Sequence, residues 1–137
     1  MKSIRTERPM KDAKRILLTL VLVSVLLSSC ASKRLVLYRE DGSPLSITDY
    51  EKIAQVERDN RRYENAIEAY TAIITNYSDN QNALAWSHFE VGFCYFTLKK
   101  YSEAEQYFRI VINEFQEPAA KKLAQDMLVK IGEINKK

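Results

Sequence analysis

Arg62-Tyr63-Glu64-Asn65-Ala66 returns 38 residues later as Lys100-Tyr101-Ser102-Glu103-Ala104, and this recurrence decides the fold. In the same register Tyr70 falls on Phe108, Ile73-Ile74 on Val111-Ile112, and Tyr77 on Phe115. The matched positions step by three and four, the spacing that places side chains on one face of an α-helix. Ala66 and Ala104 leave room for a neighbouring helix to come close, while Tyr63 and Tyr101 fill the turn before each helix. Self-similarity at an interval of this size marks a stacked helical repeat, in which each unit buries its apolar face against the next.

Working outward, the chain from Thr48 onward contains almost no breakers: Gly92, Gly132 and Pro118 are its only glycines and proline. The pattern predicts helices at 48–59, 63–77, 81–98, 102–115 and 118–135. Thr48-Asp49-Tyr50-Glu51 and Ser102-Glu103-Ala104-Glu105 each offer a capping box, a hydroxyl followed three residues later by a carboxylate. Asp59 to Arg62 and Leu98 to Lys100 read as the short turns inside each pair. Pro118 suits the first turn of the last helix, where its missing N–H costs nothing.

In the second unit Val91-Gly92, Tyr95, Tyr101, Ala104 and Phe108 resemble the Leu-Gly, Tyr, Tyr, Ala and Phe positions of the tetratricopeptide repeat. The first unit departs from the motif. Ile53-Ala54 stands in place of Leu-Gly, and Glu57 where an aromatic is usual, but Tyr63 to Ile74 fits. The resemblance covers about residues 48–135 and implies an all-α fold. Its antiparallel helix pairs would form a right-handed α-solenoid of about two repeats plus a C-terminal capping helix. An interval of 38 rather than the common 34 is similar to the repeats of BamD-like outer-membrane assembly lipoproteins and of the Tol–Pal-associated cell-division coordinator. Those repeats place Tyr-Pro before the next helix; here Tyr77-Ser78 and Phe115-Gln116 hold that corner without the proline.

The first thirty residues are of another kind. Of the 137 residues and net charge of +3, residues 1–29 hold six basic side chains against Glu7 and Asp12, a local +4. The chain from Cys30 onward therefore carries −1, which gives no footprint for nucleic acid. A basic stretch ending in Lys14-Arg15 precedes the apolar run Ile16 to Leu27, and small Ser28 and Ser29 follow. That order is the one a secretory signal takes, and Met10-Lys11 would open it with a conventional short basic region. This run of twelve residues, apolar but for Thr19 and Ser24, falls short of the roughly 20 needed to cross a bilayer.

Leu27-Ser28-Ser29-Cys30 resembles the lipobox of bacterial lipoproteins. The resemblance implies cleavage between Ser29 and Cys30, a diacylglycerol thioether on Cys30 and a palmitate-class acyl group on the new amino terminus. Two or more chains make a durable anchor, because each buried methylene contributes about 0.8 kcal/mol and one chain holds only marginally. The expected organisation is a signal peptide at 1–29, a lipidated N-terminus and tether at 30–46, and a repeat domain at 47–137. The β-prone run Leu35-Val36-Leu37-Tyr38 and the turn Asp41-Gly42-Ser43-Pro44 lie in the tether. They are either an extended spacer or a segment docked on the helices.

No residues suggest catalysis, a cofactor or a metal. Cys94 is the only cysteine besides Cys30 and reads as a buried inert thiol. His88 is the only histidine and reads as a packed helix residue, so neither a metal cluster nor a serine–histidine triad is supported. Three scattered glycines cannot cradle a phosphate.

What remains is surface. By the repeat register Trp86, Phe89, Phe93 and Phe96 would line the concave groove, with Leu84, His88, Val91, Tyr95 and Leu98 on the core side. A helix apolar on two sides is buried on both. The aromatic stripe is either core, against the last helix or Leu35 to Tyr38, or a binding stripe for a partner, since aromatics dominate interface energy. The first unit's groove positions, Thr48, Glu51, Gln55 and Arg58, are polar.

The reading is a scaffold and not an enzyme: an adaptor held to a membrane by lipid on Cys30, gripping a protein of the cell envelope. Resemblance points to the periplasmic face of an outer membrane, since Ala31-Ser32 lacks the Asp that marks retention, and to the β-barrel assembly machinery as partner. The alternatives are a Tol–Pal, division or pilus-assembly scaffold, or a subunit of a periplasmic solute-transport system.

Overall fold

The computed structural model describes residues 35–136; the leader, Cys30 and the first residues after it lie outside that range. Five helices follow one another: α1 (Ile47–Asp59), α2 (Tyr63–Asn76), α3 (Gln81–Thr97), α4 (Tyr101–Glu114) and α5 (Pro118–Ile134). Each packs against the next, so the chain folds as two antiparallel pairs and a closing helix, an all-α solenoid of tetratricopeptide type. Every boundary lies within a residue of the expected one. The apolar period of the sequence is what places them.

The two turns inside the pairs are built alike. Arg62 N–H donates to Glu57 O (2.8 Å) and Arg61 N–H to Arg58 O (2.8 Å) after α1; Lys100 N–H donates to Tyr95 O (2.9 Å) and Lys99 N–H to Phe96 O (2.9 Å) after α3. These are Schellman closures, which need a left-handed residue at the first position beyond the cap. Arg61 (φ 60°) and Lys99 (φ 61°) occupy it, a position where glycine is free of the Cβ penalty. Arg61→Gly and Lys99→Gly are each expected to stabilise the fold by about 0.5–1 kcal/mol in urea titration, because both side chains are exposed.

Equivalent latches hold these turns with different chemistry. Glu57, 9% exposed, accepts from Arg62 Nε (2.5 Å) and Nη2 (2.8 Å) and from Asn65 Nδ2 (2.8 Å). In the second unit Tyr95 takes the place of Glu57, and Lys100 Nζ sits 5.9 Å from the centre of its ring. An ion pair and a cation–π contact thus join the same two repeat positions. The departure at Glu57 is a substitution of one latch for another. Hydrogen bonds from Arg62 hold the Glu57 carboxyl below its ordinary value, aided by Asn65 and opposed by burial. The stability it contributes is therefore complete above about pH 4.5 and is lost as pH falls through the lower folded value. Thermal melts should show the midpoint dropping as pH falls below about 4.5, and Glu57→Gln should start lower and lose part of that slope.

Both expected capping boxes are displaced. The N-cap of α1 is Ser46 and not Thr48: Ser46 Oγ accepts from Asp49 N–H (3.2 Å) and donates to Asp49 Oδ2 (2.6 Å). Ser102 lies inside α4, whose N-cap Lys100 makes no side-chain cap, since the turn is already closed by its own backbone. Pro118 stands at the first turn of α5 as expected, with Glu117 capping Ala119 N–H at 3.4 Å.

The folded unit begins at Leu35, so the stretch assigned to a tether is, from there on, part of the body. Residues 35–45 form a strap. Tyr38 bridges Pro44 in antiparallel fashion around a turn with Gly42 at φ 79°. Leu37 is 8% exposed, and the hydroxyl of fully buried Tyr50 donates to Leu37 O (2.7 Å) and accepts from Leu45 N–H (3.2 Å). Tyr77 O–H donates to Leu45 O from the end of α2.

α3 is the shared wall of two cores. Its Ala83 and Val91 join Leu37, Tyr50, Ala54, Ala69, Tyr70 and Ile73; its Leu84, Ala85 and Phe89 join Ala104, Phe108, Val111, Ala120, Ala124, Met127 and Ile131. Gly92 is required where α3 meets α4, because a Cβ there would lie 2.9 Å from Phe108 Cε1 and 3.1 Å from Tyr107 Cβ. The far face of α5 carries Lys122, Asp126, Val129, Lys130 and Glu133 in the register where α3 has Leu84, His88, Val91, Gly92 and Tyr95. All five are exposed. Such a polar outer face is what a capping helix presents.

Candidate functional site

The first helices of the two units, α1 and α3, bound a cleft of about 310 Å³. Glu51, Gln55 and Arg58 come from α1, Tyr70 from α2, and Trp86, Ser87 and Glu90 from α3. Arg58 and Glu90 form an ion pair across it, with 28% and 22% of their side chains exposed. This bridge ties one repeat to the next. It also leaves the cleft mixed: Glu51 and the pair at its rim, Trp86 on one wall, Tyr70 at the α2 side.

Tyr70 at the cleft and Cys94 behind it are buried. Burial pushes the Tyr70 phenol well above its ordinary value, and the Glu90 carboxylate adds to the effect. The Cys94 thiol, fully buried, is pushed up to about 12 by burial and by Glu90, so at neutral pH it offers no thiolate. His88 lies between the rings of Tyr107 (5.8 Å) and Phe115 (5.4 Å), and its Nδ1 is buried without a hydrogen-bond partner. Burial lowers its pKa, with Glu114 opposing. His88 is packed as a helix residue. Among the described residues no group of three or more His, Cys, Asp or Glu side chains could hold a metal ion, and no helix is long and apolar enough to cross a membrane.

The four aromatic positions of α3 do not share one fate. Trp86 lines the cleft and meets Phe89 edge-on at 6.0 Å. Phe89 is 8% exposed, 5.6 Å from Phe108, and belongs to the core built by α3, α4 and α5. That burial corrects its placement in the groove: the face of α3 reached by α4 and α5 is wider than one stripe, and Phe89 falls within it. Phe93 stacks on Phe89 at 6.4 Å and Phe96 packs on Tyr101 at 5.5 Å, both half-buried. Trp86, Phe93 and Phe96 thus remain partly open beside a rigid core. The pairing of Arg58 with Glu90 and the places of Tyr70 and Ser87 in the cleft had no signal in the sequence, because they depend on how the two units are stacked.

The model of the tetratricopeptide repeat family matches residues 50–80 and 86–117, one match for each helix pair. With the two pairs in register the chain carries two repeats similar to that family, in an all-α solenoid of tetratricopeptide type, and such repeats are protein-interaction scaffolds. No curated protein and no solved structure matches the chain.

Proposed function

We propose that this protein is a lipid-anchored adaptor of the bacterial cell envelope whose cleft between α1 and α3 grips a segment of a partner protein. The observation that carries the reading is the convergence of Glu51, Gln55 and Arg58 with Trp86 and Glu90 on that cleft. It combines an aromatic anchor with charged groups, the makeup of an interface in which a few residues supply most of the affinity. The lipobox-like Leu27 to Cys30 supports the anchor, and the folded body starts only five residues after Cys30. Within the envelope, the 38-residue interval with Tyr77 and Phe115 at the corners favours an accessory of outer-membrane protein assembly, BamD-like in kind.

Crosslinked pull-down from membranes of the producing cell is the test. A β-barrel assembly component should be recovered with the native chain. Trp86→Ala combined with Phe93→Ala should reduce that recovery about tenfold or more, a loss of at least about 1.4 kcal/mol, while the helical circular-dichroism signal is kept. Recovery of Tol–Pal or peptidoglycan-linked partners in place of assembly components would refute the assignment. A variant that loses its helical signal would place both rings in the core.

A further inference from the structure

The strap alternates with a period of two, as an extended segment does. Leu35 and Leu37 turn toward the helices, where Leu37 is 8% exposed. Val36 and Tyr38 turn away and stand 70% and 49% exposed. With Arg39, Glu40, Asp41 and Leu45 they line a shallow concavity at the turn. Leu37, Tyr50, Leu45 and Tyr77 fix the strap from beneath, so this outward apolar pair is held rigidly.

We propose that Val36 and Tyr38 form a membrane-contact face that seats the repeat body on the bilayer bearing its anchor. This inference rests on the reading of Cys30 as the lipidated residue. Six residue steps separate Cys30 from Val36, a span of at most about 22 Å, so an anchored Cys30 keeps this face within reach of the headgroups. Tyrosine suits that place, its ring toward the acyl boundary and its hydroxyl among the headgroups. Glu40 and Asp41, both exposed, share that concavity, so the contact is made at its apolar side by Val36 and Tyr38 with the two carboxylates kept toward water. Seating a second, apolar site beside the lipid would fix the orientation of the cleft relative to the membrane, which a flexible tether alone would not do.

The closing experiment uses the mature lipidated chain in phosphatidylcholine vesicles containing lipids spin-labelled near the headgroup. Val36→Cys is labelled with an environment-sensitive fluorophore, and Val129→Cys, on the exposed face of α5 at the other end of the solenoid, serves as the control. Cys94 is fully buried and does not compete for label. The face predicts one label per chain, a blue-shifted emission at position 36 and quenching at least about threefold greater than at position 129. Equal quenching at both positions, with one label per chain, would overturn the face and leave the anchor intact. Two labels per chain would show a free thiol at Cys30 and overturn both.

Discussion

Tyr50→Ala is expected to leave the domain close to unfolded. Tyr50 is fully buried, its ring meets Tyr77 edge-on at 6.5 Å, and its hydroxyl serves both strands of the strap at Leu37 and Leu45. Truncating a buried aromatic to alanine costs about 3–5 kcal/mol. The Leu37 carbonyl and Leu45 amide would also lose their partner, at about 1–3 kcal/mol for each group that stays buried. Against a total stability of about 5–15 kcal/mol, that is most of what a domain of this size has. Tyr50→Phe separates the two contributions. It keeps the ring and removes the hydroxyl, so it should cost about 1–3 kcal/mol in urea titration and release the strap. Hydrogen exchange would show the release as lost protection at the Leu45 amide, with α3 and α4 protected as before. A Tyr50→Phe variant as stable as the native chain would mean that the strap adds nothing to the fold.

Much of this architecture was legible in the sequence, and the reason lies in particular residues. Ala66 and Ala104, Tyr70 and Phe108, Ile73 and Val111 recur in register and are all buried, so the periodicity that marks the helices also marks their cores. The turns were legible as turns, yet their left-handed Arg61 and Lys99 were not, since glycine or asparagine is the usual sign. Glu57 looked like a flaw in the first repeat. Only the approach of Arg62 and Asn65 shows it as a latch. The strap was ambiguous because Leu35 to Tyr38 reads the same whether free or docked; the tyrosine that docks it sits in a helix and carries no mark of that role. At the candidate site, the polar residues of α1 and Trp86 could be assigned to one face from repeat position. The burial of Phe89 and the Arg58–Glu90 bridge could not, because both depend on how neighbouring helices are stacked.

Cys30→Ser is expected to produce the largest change in behaviour with the least change in structure. Cys30 precedes the folded unit, whose cores are built from Leu37 to Ile131, so the substitution should leave stability unaltered. Two or more acyl chains hold a protein on a bilayer durably; without them, Val36 and Tyr38 offer too little apolar surface to retain it. On the proposed reading, in which lipid on Cys30 supplies effective concentration and not contacts, partner capture should then fall as well.

Membrane fractionation of the native chain and Cys30→Ser, expressed side by side, tests the central claim most directly. The native chain should sediment with membranes and be released by detergent but not by salt, while Cys30→Ser should appear in the soluble fraction with an unchanged helical spectrum. A Cys30→Ser variant that sediments with membranes as the native chain does would contradict the account.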